Sequence, residues 1–345
     1  NLPDVAVVPS EHFNTVLYTG NQGTNLSITG VGFEPSLVWG KNRSSDSNHW
    51  LFDAVRGTTK MLSSDGTGAE ETQSGVTAFG SDGFTLGTWI GSTKTNDSYV
   101  AWNWKANGSG SANTNGSINS TVSANTDAGF SIINWTKEGS SGTKTVGHGL
   151  SKAPEIIFFK EVDDPSHWST YVGVGGSTTR GLLYLNLTAA QTTNDANQWS
   201  DTAPTSTVFT YNQQYTFGNN NTAEMIGYAF HSVDGYSAVG SYIGNGNADG
   251  TFVYTGHRPS LILLKRTDSA DGWVMLDNER VGYNAGNNVL EANVSDAEDS
   301  SVADRVDILS NGFKLRNSWS KINASSGNYI FISFAETPFK NSNGR

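Results

Sequence analysis

Short apolar runs separated by glycine, asparagine, aspartate and serine recur along the whole chain. PSLVWGK (35–41), SYVAWNW (98–104), APEIIFFK (153–160) and NYIFISF (328–334) are rich in β-branched and aromatic residues, the composition of a pleated, half-buried strand. No long stretch keeps the i, i+3, i+4, i+7 stripe of an amphipathic helix. The pattern predicts an all-β protein. The best helical stretches are a turn or two around AEE at 69–71 and its counterpart AED at 297–299.

The runs repeat in a fixed order. Pro35, Pro154 and Pro259 each stand six residues before a lysine, Lys41, Lys160 and Lys265. A tryptophan follows each lysine by nine, eight and eight residues: Trp50, Trp168 and Trp273. An anchor comes next, GFTL at 83–86 and GFKL at 312–315, with STVF at 206–209 as the weaker middle version. Each copy closes on an aromatic strand, YVAWNW (99–104), MIGYAF (225–230) or YIFISF (329–334). From the anchor phenylalanine to the last aromatic the spacing is 20, 21 and 21 residues, so the chain is a triplication. The copies open alike too, at VLYTGN (16–21), INWTKEG (133–139) and SYIGNGN (241–247).

Unit 1 is therefore 13–106, unit 2 is 129–232 and unit 3 is 235–338. A short extension (1–12) precedes them and a tail (339–345) follows. Residues 107–128, polar and rich in Gly, Ser and Asn, are expected to form a linker or an exposed hairpin. Roughly 100 residues with close-set turn signals suit a small antiparallel sandwich. The expectation is three tandem antiparallel β-sandwiches of jelly-roll type. A three-bladed prism is the competing arrangement, disfavoured because its blades would be unusually long.

Composition narrows the chemistry. A formal charge of −11 argues against nucleic acid, whose phosphates need clustered Lys and Arg. The absence of cysteine excludes disulfides, thiolate metal sites and a thiol nucleophile. No apolar run reaches the roughly 18–20 residues needed to cross a bilayer as a helix, so membrane insertion is not expected. Hydrolase and calcium-loop motifs are missing, and no His pair has metal-ligand spacing, so no catalytic residue, metal or cofactor is expected. The acid pairs Glu70–Glu71, Asp163–Asp164 and Glu298–Asp299 look like solvated turns rather than two carboxylates about 5–10 Å apart across a cleft.

SDSNHWLFDAVRG (45–57) gathers His49, Trp50, Asp53 and Arg56. Asp277 and Arg280 repeat the Asp-x-x-Arg spacing in unit 3, whereas unit 2 shows Tyr171 and Val174. A carboxylate and guanidinium that recur together and vanish together fit an ion pair fixing a turn. Trp50, Trp168 and Trp273 fit a core anchor shared by the three copies, and His49, matched by His167, a hydrogen-bonded neighbour of that anchor. Function is expected where the copies differ, in the loops at 87–97, 210–221 and 316–328. These carry Trp89 and Asn96, then Tyr211, Tyr215 and Asn219, then Trp319 and Asn323. Aromatic faces beside amides are the chemistry that recognises neutral sugars.

PSEHFNTVLYTGN (9–21), ITGVGFEPSLVWGKNR (28–43), YVAWNWKANG (99–108), DGTFVYTGHRPSLILLKRTD (249–268) and FAETPFKNSNGR (334–345) carry a resemblance to a family of repeat proteins of marine tailed bacteriophages, tail-fibre-like or virion proteins. The resemblance spans nearly the whole chain and implies a virion-surface, extracellular protein. It implies a tail-fibre or appendage adhesin that contacts host surface glycans, assembles with other virion proteins, and forms a homotrimer by analogy with fibres. A purely structural virion or fibre subunit is the first alternative. A polysaccharide-degrading enzyme using Asp97 and Glu224 is the second.

Overall fold

The computed structural model describes residues 7–139, 141–174, 181–192, 196–213, 220–280, 284, 288–301 and 304–338. Unit 1 holds β1 (Phe13–Thr19), β2 (Leu26–Thr29), β3 (Leu37–Asn42), β4 (Trp50–Asp53), β5 (Lys60–Met61), β6 (Glu71–Thr72), β7 (Val76–Gly80), β8 (Gly83–Leu86) and β9 (Ser98–Trp104). After β10 (Ser111–Asn113) and β11 (Ser120–Asn125), unit 2 holds β12 (Phe130–Thr136), β13 (Thr143–Gly147), β14 (Ile156–Glu161), β15 (Ser169–Val172), β16 (Leu182–Tyr184), β17 (Val208–Asn212) and β18 (Glu224–Phe230). Unit 3 holds β19 (Ser237–Ile243), β20 (Phe252–Tyr254), β21 (His257–Arg266), β22 (Trp273–Asp277), β23 (Leu290–Glu291), β24 (Val306–Leu309), β25 (Gly312–Leu315) and β26 (Asn328–Pro338). The protein is all-β, and the strands of its sheets pair antiparallel.

One topology serves all three units. The main sheets run β1-β9-β3-β4, β12-β18-β14-β15-β16 and β19-β26-β21-β22-β23. Register aligns these central strands residue by residue: Leu37 faces Trp104, Ile156 faces Phe230 and Leu261 faces Phe334. A smaller sheet covers each main sheet, β2-β8-β7, β13-β17 and β20-β25-β24. The anchor phenylalanines Phe84, Phe209 and Phe313 fill the space between the two layers.

Strand alternation then sends side chains to two destinations. Ile157 and Phe159 face the core of unit 2, while Ile156 and Phe158 face a larger core drawn from all three units. At its centre the closing aromatics meet in a triangle. Ring centroids of Trp104 and Phe230 lie 6.3 Å apart, of Trp104 and Phe334 5.4 Å, and of Phe230 and Phe334 5.6 Å. A cavity of about 20 Å³ with an apolar lining sits beside them. Each unit thus has a core of its own between its two sheets and a second apolar face that it shares with the other two. They form a three-membered ring around that shared apolar surface.

Residues 107–128 form the hairpin of the two alternatives, β10 with β11, and it also extends the sheet of unit 2 beyond β12 and buries Ile118 and Val122. One further expectation changes. Neither AEE nor AED is helical. Among the described residues the short α-helices are Ile90–Thr93, Ala196–Trp199 and Ser320–Asn323, with a 3-10 turn at Pro9–Glu11.

The tryptophan alignment is also corrected, by one residue. Trp50 pairs with Gly40, and the equivalent pairs are Ser169 with Phe159 and Val274 with Leu264. His49, not Trp50, occupies the place of Trp168 and Trp273. A one-residue slip changes the face of a strand: Trp168 and Trp273 lie in the shared core, whereas Trp50 lies in the core of unit 1 alone. Gly40 makes this packing fit, since a Cβ there would stand 2.0 Å from the Trp50 ring. The cross-strand pairs trade volume: glycine with tryptophan, phenylalanine with serine, leucine with valine. Gly40→Ala is expected to cost about 1–3 kcal/mol by overpacking. In thermal melts Gly66→Ala serves as control, its nearest neighbour being 3.8 Å away. Equal melting temperatures for the two variants would contradict this packing.

Candidate functional site

The chemistry-bearing residues gather at the three junctions between units. Each begins with the repeated lysine. Lys41, Lys160 and Lys265 are fully buried. Lys41 Nζ donates to the carbonyls of Asn42 (2.8 Å) and Ser295 (3.0 Å). Lys160 Nζ donates to those of Ser166 (2.7 Å) and Thr67 (3.0 Å). Lys265 Nζ donates to those of Arg266 (2.8 Å), Asp271 (2.8 Å) and Thr188 (3.1 Å). Unit 1 therefore reaches into unit 3, unit 2 into unit 1, and unit 3 into unit 2, which closes the ring. Burial away from water holds each lysine pKa down at about 8.

The position eight residues after each lysine makes the same cyclic contact. Trp168 Nε1 donates to Ser63 O (2.7 Å) and Trp273 Nε1 to Tyr184 O (2.9 Å). His49 reaches Glu291 O at 3.1 Å. Trp39 Nε1 donates to His49 Nδ1 (2.9 Å), so Nε2 carries the proton and is the donor to Glu291. Burial and the nearby Lys41 charge push the His49 pKa well below its ordinary value, so the ring is neutral. It is a structural donor filling a tryptophan's place.

The Asp-x-x-Arg clasps are ion pairs, as expected, and they have more partners than the sequence suggests. Arg56 Nε meets Asp53 Oδ2 at 2.6 Å and its Nη1 meets Glu70 at 3.1 Å. Arg280 Nε meets Asp277 Oδ2 at 2.6 Å and its Nη1 meets Glu298 at 3.0 Å. Burial opposes the charge of Arg56, but Asp53, Tyr228 and Glu70 outweigh it and keep the guanidinium charged. Burial likewise opposes the charge of Glu298, yet hydrogen bonding to Arg43 and the charge of Arg280 hold its pKa below the ordinary value. Glu70 and Glu298 are thus junction carboxylates and not solvated turns.

Each clasp aspartate also accepts a hydrogen bond from the next unit. Tyr228 Oη donates to Asp53 (2.9 Å), and Trp102 Nε1 donates to Asp277 (3.0 Å). Tyr228 and Trp102 are equivalent by register, and the third member of the set is Ile332. The residue of unit 2 equivalent to the aspartates is Val172, not Tyr171. Where the donor is replaced by isoleucine the carboxylate is replaced by valine, so no charge is buried without a partner.

The residues expected to bind sugar do not form one surface. Tyr211 is buried in the core of unit 2, where its hydroxyl accepts a hydrogen bond from Trp135 Nε1 (3.2 Å). Asn323 is buried too, its amide tied to Asn317 O (2.8 Å), Asn247 O (2.9 Å) and Asn245 Oδ1 (3.1 Å). Trp89 is half-buried against Phe52. Trp319 is half-buried with the Arg305 guanidinium 4.3 Å and the Lys321 ammonium 5.3 Å from its ring centre. Asn96 is exposed at a positive-φ turn. Tyr215 and Asn219 lie outside the described residues.

The loops of units 1 and 3, dissimilar in sequence, share one conformation. A single helical turn follows Trp89 or Trp319, and the hydroxyls of Tyr99 and Tyr329 cap it by accepting from Lys94 N (2.9 Å) and Ala324 N (2.7 Å). Stacked tyrosine pairs, Tyr18 with Tyr99 and Tyr242 with Tyr329, brace both loops at 4.9 Å.

Asp97 and Glu224, the two candidate hydrolytic carboxylates, are engaged separately. Asp97 is held by Asn42 and Ser45, Glu224 by Asn134, and the two occupy neighbouring positions of different copies. In an acidic cleft of about 410 Å³ beside Asp46, the side chains of Glu291, Glu298 and Asp299 already pair with Lys321, Arg43 and Arg305. Among the described residues no group of three His, Asp or Glu could hold a metal ion.

No curated protein and no solved structure matches the chain. A family model described as a domain of unknown function (DUF7483) matches residues 8–338, all three units of the ring, and the chain belongs to that family.

Proposed function

We propose that the protein is a non-catalytic structural module, a rigid subunit of a virion surface or extracellular appendage built from three sandwich-like units. The observation that carries this reading is where the chemistry goes. The buried lysines, the aspartate–arginine clasps, His49, Trp168 and Trp273 are all spent on holding the units to one another. A ring closed by its own chain suits a part that keeps its shape outside the cell without disulfides. The resemblance to tailed-phage repeat proteins supports a virion location for the module, with copies of the chain, a trimer by analogy, sitting among other virion proteins. The adhesin reading loses weight because Tyr211 and Asn323 are inside the fold and both faces of its argument, aromatic and amide, are split between units.

Gold-labelled antibody against the chain, applied to purified particles and viewed by electron microscopy, tests the proposal. Label at regular places on the particle is the expected result. Label only in the soluble fraction of the lysate would overturn it.

A further inference from the structure

Where unit 2 meets unit 3 a cleft of about 340 Å³ opens, lined by Gln191, Ser241, Thr267 and Asn328 beside the Tyr242–Tyr329 pair. The backbone here matches the other junctions. Gln191 N donates to Thr267 O at 2.8 Å, as Glu298 N does to Arg43 O (3.0 Å) and Glu70 N to Val162 O (2.8 Å). At the junction of units 3 and 1 the side chains of this same pair bridge the gap, with Arg43 Nη2 and Nε donating to Glu298 at 2.8 and 2.9 Å. Threonine is too short to repeat that bridge, and its hydroxyl turns instead to Asn328 O (3.2 Å). The cleft occupies the place where the neighbouring junction carries its arginine–glutamate plug.

Its chemistry selects a ligand class. Among the described residues no Asp, Glu, Lys or Arg lines it, so these walls offer no counter-charge to an ion, and the chain's charge of −11 disfavours anions further. Amide and hydroxyl groups that both donate and accept stand beside the apolar side chains of Val174 and Ile243. The volume falls in the range of roughly 300–1,000 Å³ typical of small-molecule sites. We infer that this cleft binds a neutral polyhydroxyl compound of monosaccharide size. The inference goes beyond the structural reading and does not depend on it.

The test uses the full chain and the probes glucose, galactose and N-acetylglucosamine, with glucuronate and glucosamine as charged comparisons, followed by saturation-transfer NMR and calorimetry. At least one neutral probe is expected to bind with a millimolar Kd and more tightly than the charged probes. In Thr267→Arg/Gln191→Glu, which copies the plug of the neighbouring junction, binding is expected to weaken at least about tenfold. Ser241→Trp, a change at an exposed strand position, obstructs the cleft independently and serves if the double variant misfolds. No neutral binding up to about 50 mM, binding unchanged by a folded plug variant, or tighter binding of a charged probe would each overturn the inference.

Discussion

Replacing Arg280 by methionine is expected to destabilise the protein by about 3–5 kcal/mol, the cost of stranding one member of a buried ion pair. Arg280 is the main neutraliser of Asp277, and the side chains of both are sealed from solvent. Its guanidinium also serves Glu298 and the carbonyl of Met275 (2.9 Å), so three acceptors lose a donor at once. Glu298 keeps Arg43 and Asn288, but among the described residues Asp277 keeps only Trp102 Nε1 and the local backbone. The companion variant Asp277→Val/Arg280→Met follows the solution adopted by unit 2, which has Val172 at this place. It removes both charges, leaves Trp102 Nε1 without its acceptor, and is expected to cost about 1–3 kcal/mol. The double variant should therefore be the more stable of the two, with strong coupling in a double-mutant cycle. Urea unfolding followed by circular dichroism decides it. Additive single and double effects would mean that the pair contributes nothing as a pair.

The same clasp shows what was legible in the sequence. Asp53 with Arg56 and Asp277 with Arg280 are local pairs, so spacing alone reveals them. Glu70 and Glu298 join them from 14 and 18 residues away, along a loop with no periodicity, and look like surface acids. Arg43 and Glu298 are 255 residues apart, and nothing in one sequence connects them. The ring itself is invisible for that reason: alternation predicts strands but does not say that their second apolar face meets two other copies.

The slip at Trp50 had a visible signal. Lysine to tryptophan is nine residues in unit 1 and eight elsewhere, and eight residues from Lys41 is His49. Matching residue type concealed what matching position would have shown, because the fold conserves the donor hydrogen bond and not the indole. The loops misled in the opposite sense. GTWIGSTKTND and RNSWSKINASSGN differ in composition, yet the tyrosine hydroxyl five residues after the capped amide holds both in one shape. Sequence difference there marks tolerance at an exposed turn, and the difference with structural consequence is the quiet one, Thr267 for Arg43.

Stability is expected to rise with pH from about 8 and to turn over near pH 10. Lys41, Lys160 and Lys265 have folded pKa values of about 8 against an ordinary 10.5. Between those values the unfolded chain holds protons that the folded chain has released, so the derivative of unfolding free energy with pH is positive. Each lysine contributes a slope on the order of 1 kcal/mol per pH unit within that window. The buried tyrosines act oppositely. Tyr18, Tyr228, Tyr236 and Tyr242 are raised above their ordinary 10.0 by burial, so above that pH the unfolded chain loses protons that the folded chain keeps, and stability falls. Denaturant midpoints measured at intervals from pH 7 to 11 should trace the rise and the turn. Lys160→Met should flatten the rise by about a third, while lowering the midpoint overall because the carbonyls of Thr67 and Ser166 lose their donor. A midpoint that stays level or falls between pH 8 and 9.5 would show that these lysines remain charged inside the fold, stabilised by their ring of carbonyls more than burial penalises them.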